Sequence, residues 1–178
     1  MPISPSWRME QPHYVLRTER LGFRRYRPDD AAALAAVFGD PYARRFYPEH
    51  GRREKLAGWI EWNLRNYEEH GYGLWALELL ADGMFVGDAG LTWQPVEGAW
   101  WLEIGYHIHP AQRGHGLATE AARACRDWAF ANTDCAQVCS IVHPENAASL
   151  KVAGRVHETR RLVRSGAGDR VVFSTLRR

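Results

Sequence analysis

Gly114 and Gly116 fall where an alanine-rich helical pattern begins, within HPAQRGHGLATEAARACRDW (109–128). Helix starts usually carry a capping Ser, Thr, Asp or Asn, so a glycine pair there asks for another explanation. A strand that delivers the chain into a glycine turn and then a helix suits a phosphate group. The first N–H groups of the helix are unpaired and its dipole places partial positive charge there. Glycine lets a diphosphate approach that backbone with no Cβ in the way. A Walker A loop would need Lys-Ser/Thr after its last glycine, whereas Leu117 and Ala118 follow Gly116. A dinucleotide fingerprint would need Gly or Ala where Thr119 stands. Its acidic residue about twenty positions on has a counterpart in Asp134, but in a polar turn before the next strand. The pattern that remains is Arg113-Gly114-His115-Gly116-Leu117-Ala118.

Other reactive side chains point to less. His107 and His109 alternate onto one strand face, but with no third ligand nearby they predict no metal site. Cys135 and Cys139 have no second pair and read as buried thiols, and Cys125 faces the core of its helix, so no thiol nucleophile is expected. There is no Gly-x-Ser-x-Gly elbow.

The elements that must position the loop follow from patterning. The chain has 178 residues, of which 46% are hydrophobic and 25% charged, as in one soluble domain spanning 1–178. Residues 1–13 read as an irregular N-terminal segment without the apolar stretch of a secretory signal. A net charge of +2, from 23 basic against 21 acidic residues, gives no reason to expect nucleic acid or membrane as partner. No apolar run reaches the ~20 residues of a membrane span. Three cysteines are an odd count that suits a reducing cytoplasm. Residues 14–27 alternate as a first strand. Pro28-Asp29-Asp30 opens a short helix that Gly39-Asp40-Pro41 stops. Leu56, Trp59, Ile60, Leu64 and Tyr67 recur at helical spacing before Gly71. Runs at 73–80, 84–93 and 100–108, separated by short turns, predict an antiparallel meander. A helix from Leu117, a strand at 136–143, a short helix from Asn146 to about Gly154, and a hairpin turning at 165–168 complete a mixed α/β sheet.

The hexapeptide Arg113–Ala118 matches the acyl-CoA signature Arg/Gln-x-x-Gly-x-Gly/Ala, and with its context the chain resembles the GNAT superfamily of N-acetyltransferases. The strand ending Tyr106-His107-Ile108 precedes it, and HPENAASLKVAGRV downstream is similar to the family's Asn-x-x-Ser helix. RTERLGFRRYRPDDAAAL and LEIGYHIHPAQRGHGLATEAA look like the RimJ/RimL-type branch. The resemblance runs from about Leu16 to the last strand. It implies a GNAT-like fold, a central, mostly antiparallel sheet splayed at an acyl-CoA cleft and flanked by about four helices. It implies acetyl-CoA as co-substrate, with the pyrophosphate on backbone N–H groups of Gly114, His115, Gly116, Leu117, Ala118 and Thr119. The pantetheine arm would pair with the backbone of Tyr106, His107 and Ile108, and Asn146 would hold it from the far side. The Arg pairs 160–161 and 177–178 read as solvated charges, the alternative being a basic edge near the cleft that meets the 3′-phosphate of CoA.

Forming an amide from a thioester needs a neutral amine, a proton acceptor and stabilisation of the departing thiolate. Glu103 shares a strand face with Trp101 and Gly105 and is the candidate base, with apolar neighbours raising its pKa. Its alternative is a structural carboxylate bonded to nearby backbone. Many relatives carry a Tyr seven residues after the Asn, but Ala153 stands there. Ser149 is then the candidate to hydrogen-bond the sulfur, the alternative being a helix-start hydroxyl. His157 replaces the glycine that commonly ends this helix, which leaves the geometry after Val156 open. Trp75, Trp93 and Trp101 suggest an aromatic pocket for the acceptor, tilting the reading from a protein α-amine to a small amine. A non-catalytic acyl-CoA sensor would keep the glycine loop without needing Glu103. Monomer and homodimer both remain open.

Overall fold

The computed structural model describes residues 13–178 except Ser165 and Ala167. The expected irregular segment 1–13 lies outside the described residues but for His13, as does part of the expected turn at 165–168. Among the described residues, one eight-stranded sheet runs in the order β1-β2-β3-β4-β5-β6-β8-β7. Its strands are β1 (Leu16–Arg17), β2 (Leu21–Arg24), β3 (Leu74–Leu79), β4 (Phe85–Val96), β5 (Ala99–Ile108), β6 (Gln137–Val142), β7 (Thr159–Val163) and β8 (Arg170–Leu176). The helices are α1 (Ala31–Phe38), α2 (Pro41–Phe46), α3 (Arg53–His70), α4 (Leu117–Asn132) and α5 (Ala147–Val156). This is the mixed, mostly antiparallel GNAT-like sheet expected, with a fifth helix.

Two expectations need correction. The first strand is a hairpin: Thr18 N–H bonds Leu21 O at 2.9 Å, and Thr18 Oγ1 accepts Leu21 N–H at 3.0 Å while donating to Glu120 on α4 at 2.6 Å. A long-range carboxylate therefore bends what alternation alone reads as straight. Gly39-Asp40-Pro41 ends α1 but also starts α2. Asp40 accepts the Tyr42 N–H at 3.1 Å and Pro41 occupies the first helical position, which is an N-cap signature in its own right.

The site depends on the middle of the sheet. β4 and β5 form a long hairpin paired from Gly87↔Ile108 to Val96↔Ala99 across the two-residue turn Glu97–Gly98. On its other edge β5 runs parallel to β6, but only Leu102↔Val138 and Glu103↔Cys139 are in register. Beyond them β6 stays with β8 to Val142↔Val171 while β5 stays with β4. The two strands part, as the resemblance implied. α4 packs against β4, β5 and α5, and α1 packs against α3 and β4. The core gathers around Trp75, whose ring meets Phe23 at 6.4 Å and Trp128 of α4 at 5.1 Å, edge to face.

A buried charge network secures the entry to α1. Arg24 grips Asp30 through two bonds of 2.7 and 2.8 Å and Glu78 at 2.5 Å, all with side chains nearly excluded from solvent. Removing one member of such a network strands the others in low dielectric. Arg24→Ala is therefore expected to lower unfolding free energy by about 3–5 kcal/mol in urea titration, whereas an exposed pair such as Arg45–Glu145 should cost under about 1 kcal/mol.

Candidate active site

Two cavities occupy the opening between β5 and β6. The larger, about 270 Å³, is floored by the loop from Arg113 and the first turn of α4, roofed by α2, and closed by Asn146 and Ser149 of α5. Gly114 and Gly116 both have positive φ, +82° and +80°, a region that L side chains rarely enter. A Cβ on Gly114 would meet nothing within 4 Å, and one on Gly116 would meet only Arg20 Nη2 at 3.5 Å. The pair thus shapes the loop and leaves its cavity side bare. Glu120 N–H is the first to bond back into the helix, to Gly116 O at 3.0 Å. The N–H groups of Gly114 to Thr119 have no acceptor among the described residues. Together with the positive end of α4 they form a surface whose electrostatics suit an anion. Lys151 and Arg155 line the same cavity.

Arg113 does not turn its guanidinium to that surface. It forms a fork on Asp40, at 3.0 and 2.8 Å, and its Nε reaches Ile108 O at 3.0 Å. The pairing holds the Asp40 carboxyl below its usual range and ties the loop to the start of α2. At its far side α2 reaches α5, where Tyr42 Oη donates to Asn146 Oδ1 at 2.8 Å. Asn146 Oδ1 also caps α5 by accepting Ser149 N–H at 3.1 Å. Its Nδ2 donors have no acceptor among the described residues.

The second cavity, about 170 Å³, lies on the other side of the same opening, with Trp59, Trp62, Thr92, Gln94, Glu103 and Ser140 among its walls. Tyr47, Tyr106, His107 and Ser149 line both cavities and mark their junction. Burial pushes the Glu103 carboxyl up to about 7, against the weaker opposing pull of one Ile141 N–H bond at 3.3 Å and of nearby His107. Ser149 Oγ donates to Tyr106 Oη at 3.2 Å, and that hydroxyl donates to Ser149 O at 3.0 Å. Burial pushes the Tyr106 phenol up to about 12. A bare anion cradle joined at one point to a pocket holding a near-neutral carboxyl can bring an anionic donor to a nucleophile that must lose a proton.

The sequence model described as the acetyltransferase (GNAT) domain matches residues 20–157. The chain belongs to the GNAT acetyltransferases. It is 33% identical over 142 residues to YkkB, an uncharacterised protein of Bacillus subtilis, covering 79% of this chain and 83% of that one. An acetyltransferase from Agrobacterium tumefaciens superposes with a TM-score of 0.74 at 28% identity, over 91% of this chain and 94% of that one. RimL, a ribosomal α-N-protein acetyltransferase solved with coenzyme A, shares the fold at 17% identity, with a TM-score of 0.71 over 92% and 98% of the two chains.

Several residues of this GNAT protein lie elsewhere than their types suggest. Trp75 is 0% exposed and belongs to the core. Trp93 is at the surface with its Nε1 on Tyr72 Oη at 3.1 Å, and Trp101 packs beneath Arg161. None of the three lines either cavity. The aromatic wall comes from Trp59 and Trp62 of α3, together with Tyr47. Composition could not separate them, because only packing decides which tryptophans face the opening. Arg161 pairs with Glu97, Arg177 with the carbonyls of Phe130, Thr133 and Cys135, and Arg178 with Glu158. The positive edge at the larger cavity is instead Lys151 and Arg155 of α5. His157 ends α5 in extended backbone, its ring bonded to Ser140 Oγ at 3.0 Å and Thr175 Oγ1 at 3.1 Å, so no glycine is needed there.

The Glu103 shift fixes a pH dependence of stability. Its carboxyl moves from 4.5 to about 7 on folding, so between those values the folded state holds a proton that the unfolded state has lost. Stability therefore falls as pH rises through this window, and the full cost of charging the buried group, roughly 3 kcal/mol, applies above it. Glu103→Gln removes that cost. In urea unfolding the variant should nearly match the wild type at pH 4 and exceed it increasingly towards pH 8.

Proposed function

We propose that this GNAT protein moves an acetyl group from acetyl-CoA to the nitrogen of a small primary amine by direct attack, with no acyl-enzyme. The observation that carries this reading is the meeting of two cavities at Tyr106, His107 and Ser149, one floored by bare N–H groups and the other holding Glu103. The pyrophosphate rests on the N–H groups of Gly114 to Thr119, with Arg113 bracing the loop from behind. The pantetheine arm runs along the β5 edge from Tyr106 to Ile108, where β6 has turned away, and Asn146 Nδ2 donates to it from α5. Coenzyme A bound to a protein of the same fold supports this assignment of the larger cavity. By motif we assign the chain to the RimJ/RimL-type branch, and its three free cysteines suit a reducing cytoplasm. Among the described residues no helix is long and apolar enough to cross a membrane.

In this mechanism an ammonium enters the second cavity and gives a proton to Glu103, whose raised pKa fits it to act near neutrality. The free nitrogen attacks the thioester carbonyl. Ser149 Oγ, at the junction, turns to hydrogen-bond the sulfur as charge develops, the position that Ala153 cannot serve. The enclosed wall of Trp59 and Trp62 favours a compact amine, whereas an N-terminal peptide needs an open groove. A non-catalytic sensor would gain nothing from a buried carboxyl that destabilises the fold.

The test is acetyl-CoA turnover, followed as free thiol, over a panel of small amines and N-terminal peptides. Small amines should give the higher kcat/KM, and a clear preference for peptides would overturn the acceptor assignment. Gly116→Glu, which puts bulk and negative charge against the cradle, should abolish CoA binding in calorimetry while the circular dichroism spectrum is kept.

Separate variants divide the chemistry. Glu103→Gln should lower kcat by roughly 10²-fold at neutral pH with CoA affinity unchanged. Ser149→Ala removes one hydrogen bond to a developing charge, worth about 1.5–3 kcal/mol, and should slow turnover about 10- to 150-fold. Steady-state kinetics over a range of acetyl-CoA concentrations separates these losses from changes in KM.

A further inference from the structure

We propose that Asp88 and His107 form a proton shuttle between the acceptor nitrogen and the departing sulfur, a reading that rests on the acetyl transfer proposed above. Asp88 of β4 is 0% exposed, and a buried carboxylate is costly unless it is paired. It accepts from Tyr26 Oη at 2.6 Å, Trp59 Nε1 at 3.1 Å and His107 Nδ1 at 2.6 Å. The first two donors are neutral, so His107, its cross-strand neighbour on β5, is the one partner that can carry balancing charge. The bond places the proton of the neutral ring on Nδ1 and turns Nε2 the other way. Nε2 has no hydrogen bond among the described residues. The ring is held by Phe38 and Tyr47, each at 4.9 Å, and Trp59 at 5.7 Å.

His107 is one of the four residues that line both cavities, and among their side chains only its ring offers a second nitrogen able to accept a proton while the first donates to Asp88. Burial raises both phenols, Tyr106 to about 12 and Tyr47 higher, and the Ser149 alcohol is a far weaker acid than a thiol. The titratable groups facing the ring are Asp88, Tyr47, His50 of the Pro48–Gly51 turn, and Glu103 on its own strand.

The reaction needs this second group because the nitrogen sheds two protons. Glu103 takes the first, turning ammonium to amine. The amine then attacks, forming the N–C bond while the carbonyl π pair moves to oxygen, and the nitrogen becomes cationic. His107 Nε2 takes the second proton, and Asp88 stabilises the imidazolium. As the oxygen pair re-forms the carbonyl, the C–S bond breaks with its electrons on sulfur, and His107 returns its proton to the thiolate. The histidine is neutral again, free CoA thiol and amide are formed, and Glu103 discharges its proton to water.

His107→Gln and His107→Ala should each lower kcat by roughly 10²-fold or more, with CoA binding by calorimetry unchanged. Added imidazole should restore turnover to His107→Ala and not to His107→Gln. Asp88→Asn leaves the ring in place but favours the other tautomer, so nitrogen NMR of the neutral ring should show the proton move from Nδ1 to Nε2 as kcat falls. Wild-type kcat in His107→Gln, or a wild-type neutral ring protonated on Nε2, would overturn the shuttle. If His107→Ala does not fold, His107→Gln and the wild-type tautomer decide. If the wild type acetylates no amine, the transfer itself is refuted, while the tautomer still tests the dyad independently.

Discussion

The rest of the structure depends on β5 and β6 ceasing to pair after Glu103 and Cys139. A strand can leave its neighbour inside a protein only if other partners hold both and something covers the exposed edges. Here β4 holds β5 and β8 holds β6 along their lengths. The opening is bridged by α2, which is tied to the loop through Asp40–Arg113 and to α5 through Tyr42–Asn146. The sheet therefore stays continuous at one end and becomes a container at the other. The larger cavity faces α4 and its bare N–H groups, and the smaller faces the tryptophans of α3.

Buried charge is treated in two opposite ways around this opening. Arg24 bonds both Asp30 and Glu78, and these buried groups serve the fold. Among the described residues Glu103 has one backbone donor, at 3.3 Å, so burial holds its proton affinity high. Asp88 accepts from three donors, and the one that can carry charge, His107, lies at the junction of the cavities with its Nε2 unbonded among the described residues. Evenly satisfied networks rigidify, whereas incompletely satisfied groups retain a capacity to exchange protons. The site keeps the second kind at its junction and the first kind away from it.

Much of this was legible in the order of residues. Helical spacing from Leu56 to Tyr67 and the alternating runs up to Ile108 follow from backbone periodicity, a local property. The glycine loop was readable for the same reason, since two positive-φ residues before an unpaired helix start need glycine whatever surrounds them. Asp40-Pro41 carried an N-cap signal for α2 that the preceding glycine disguised as a stop.

Sequence by itself therefore determined the family, the order of most elements, the glycine loop at the start of α4 and the candidacy of Glu103 and Ser149. Tertiary structure decided which tryptophans meet the opening, that the Arg113 guanidinium is committed to Asp40 at the start of α2, and that the first strand folds into a hairpin on Glu120. It also decided that His107, whose ring patterning offers no metal to bind and whose backbone the family resemblance sets aside for the pantetheine arm, has that ring on a buried carboxylate nineteen positions earlier in the chain. The reason is physical. Periodicity and capping act within a few residues, whereas burial, charge pairing and the parting of two strands depend on neighbours that only the folded chain brings together.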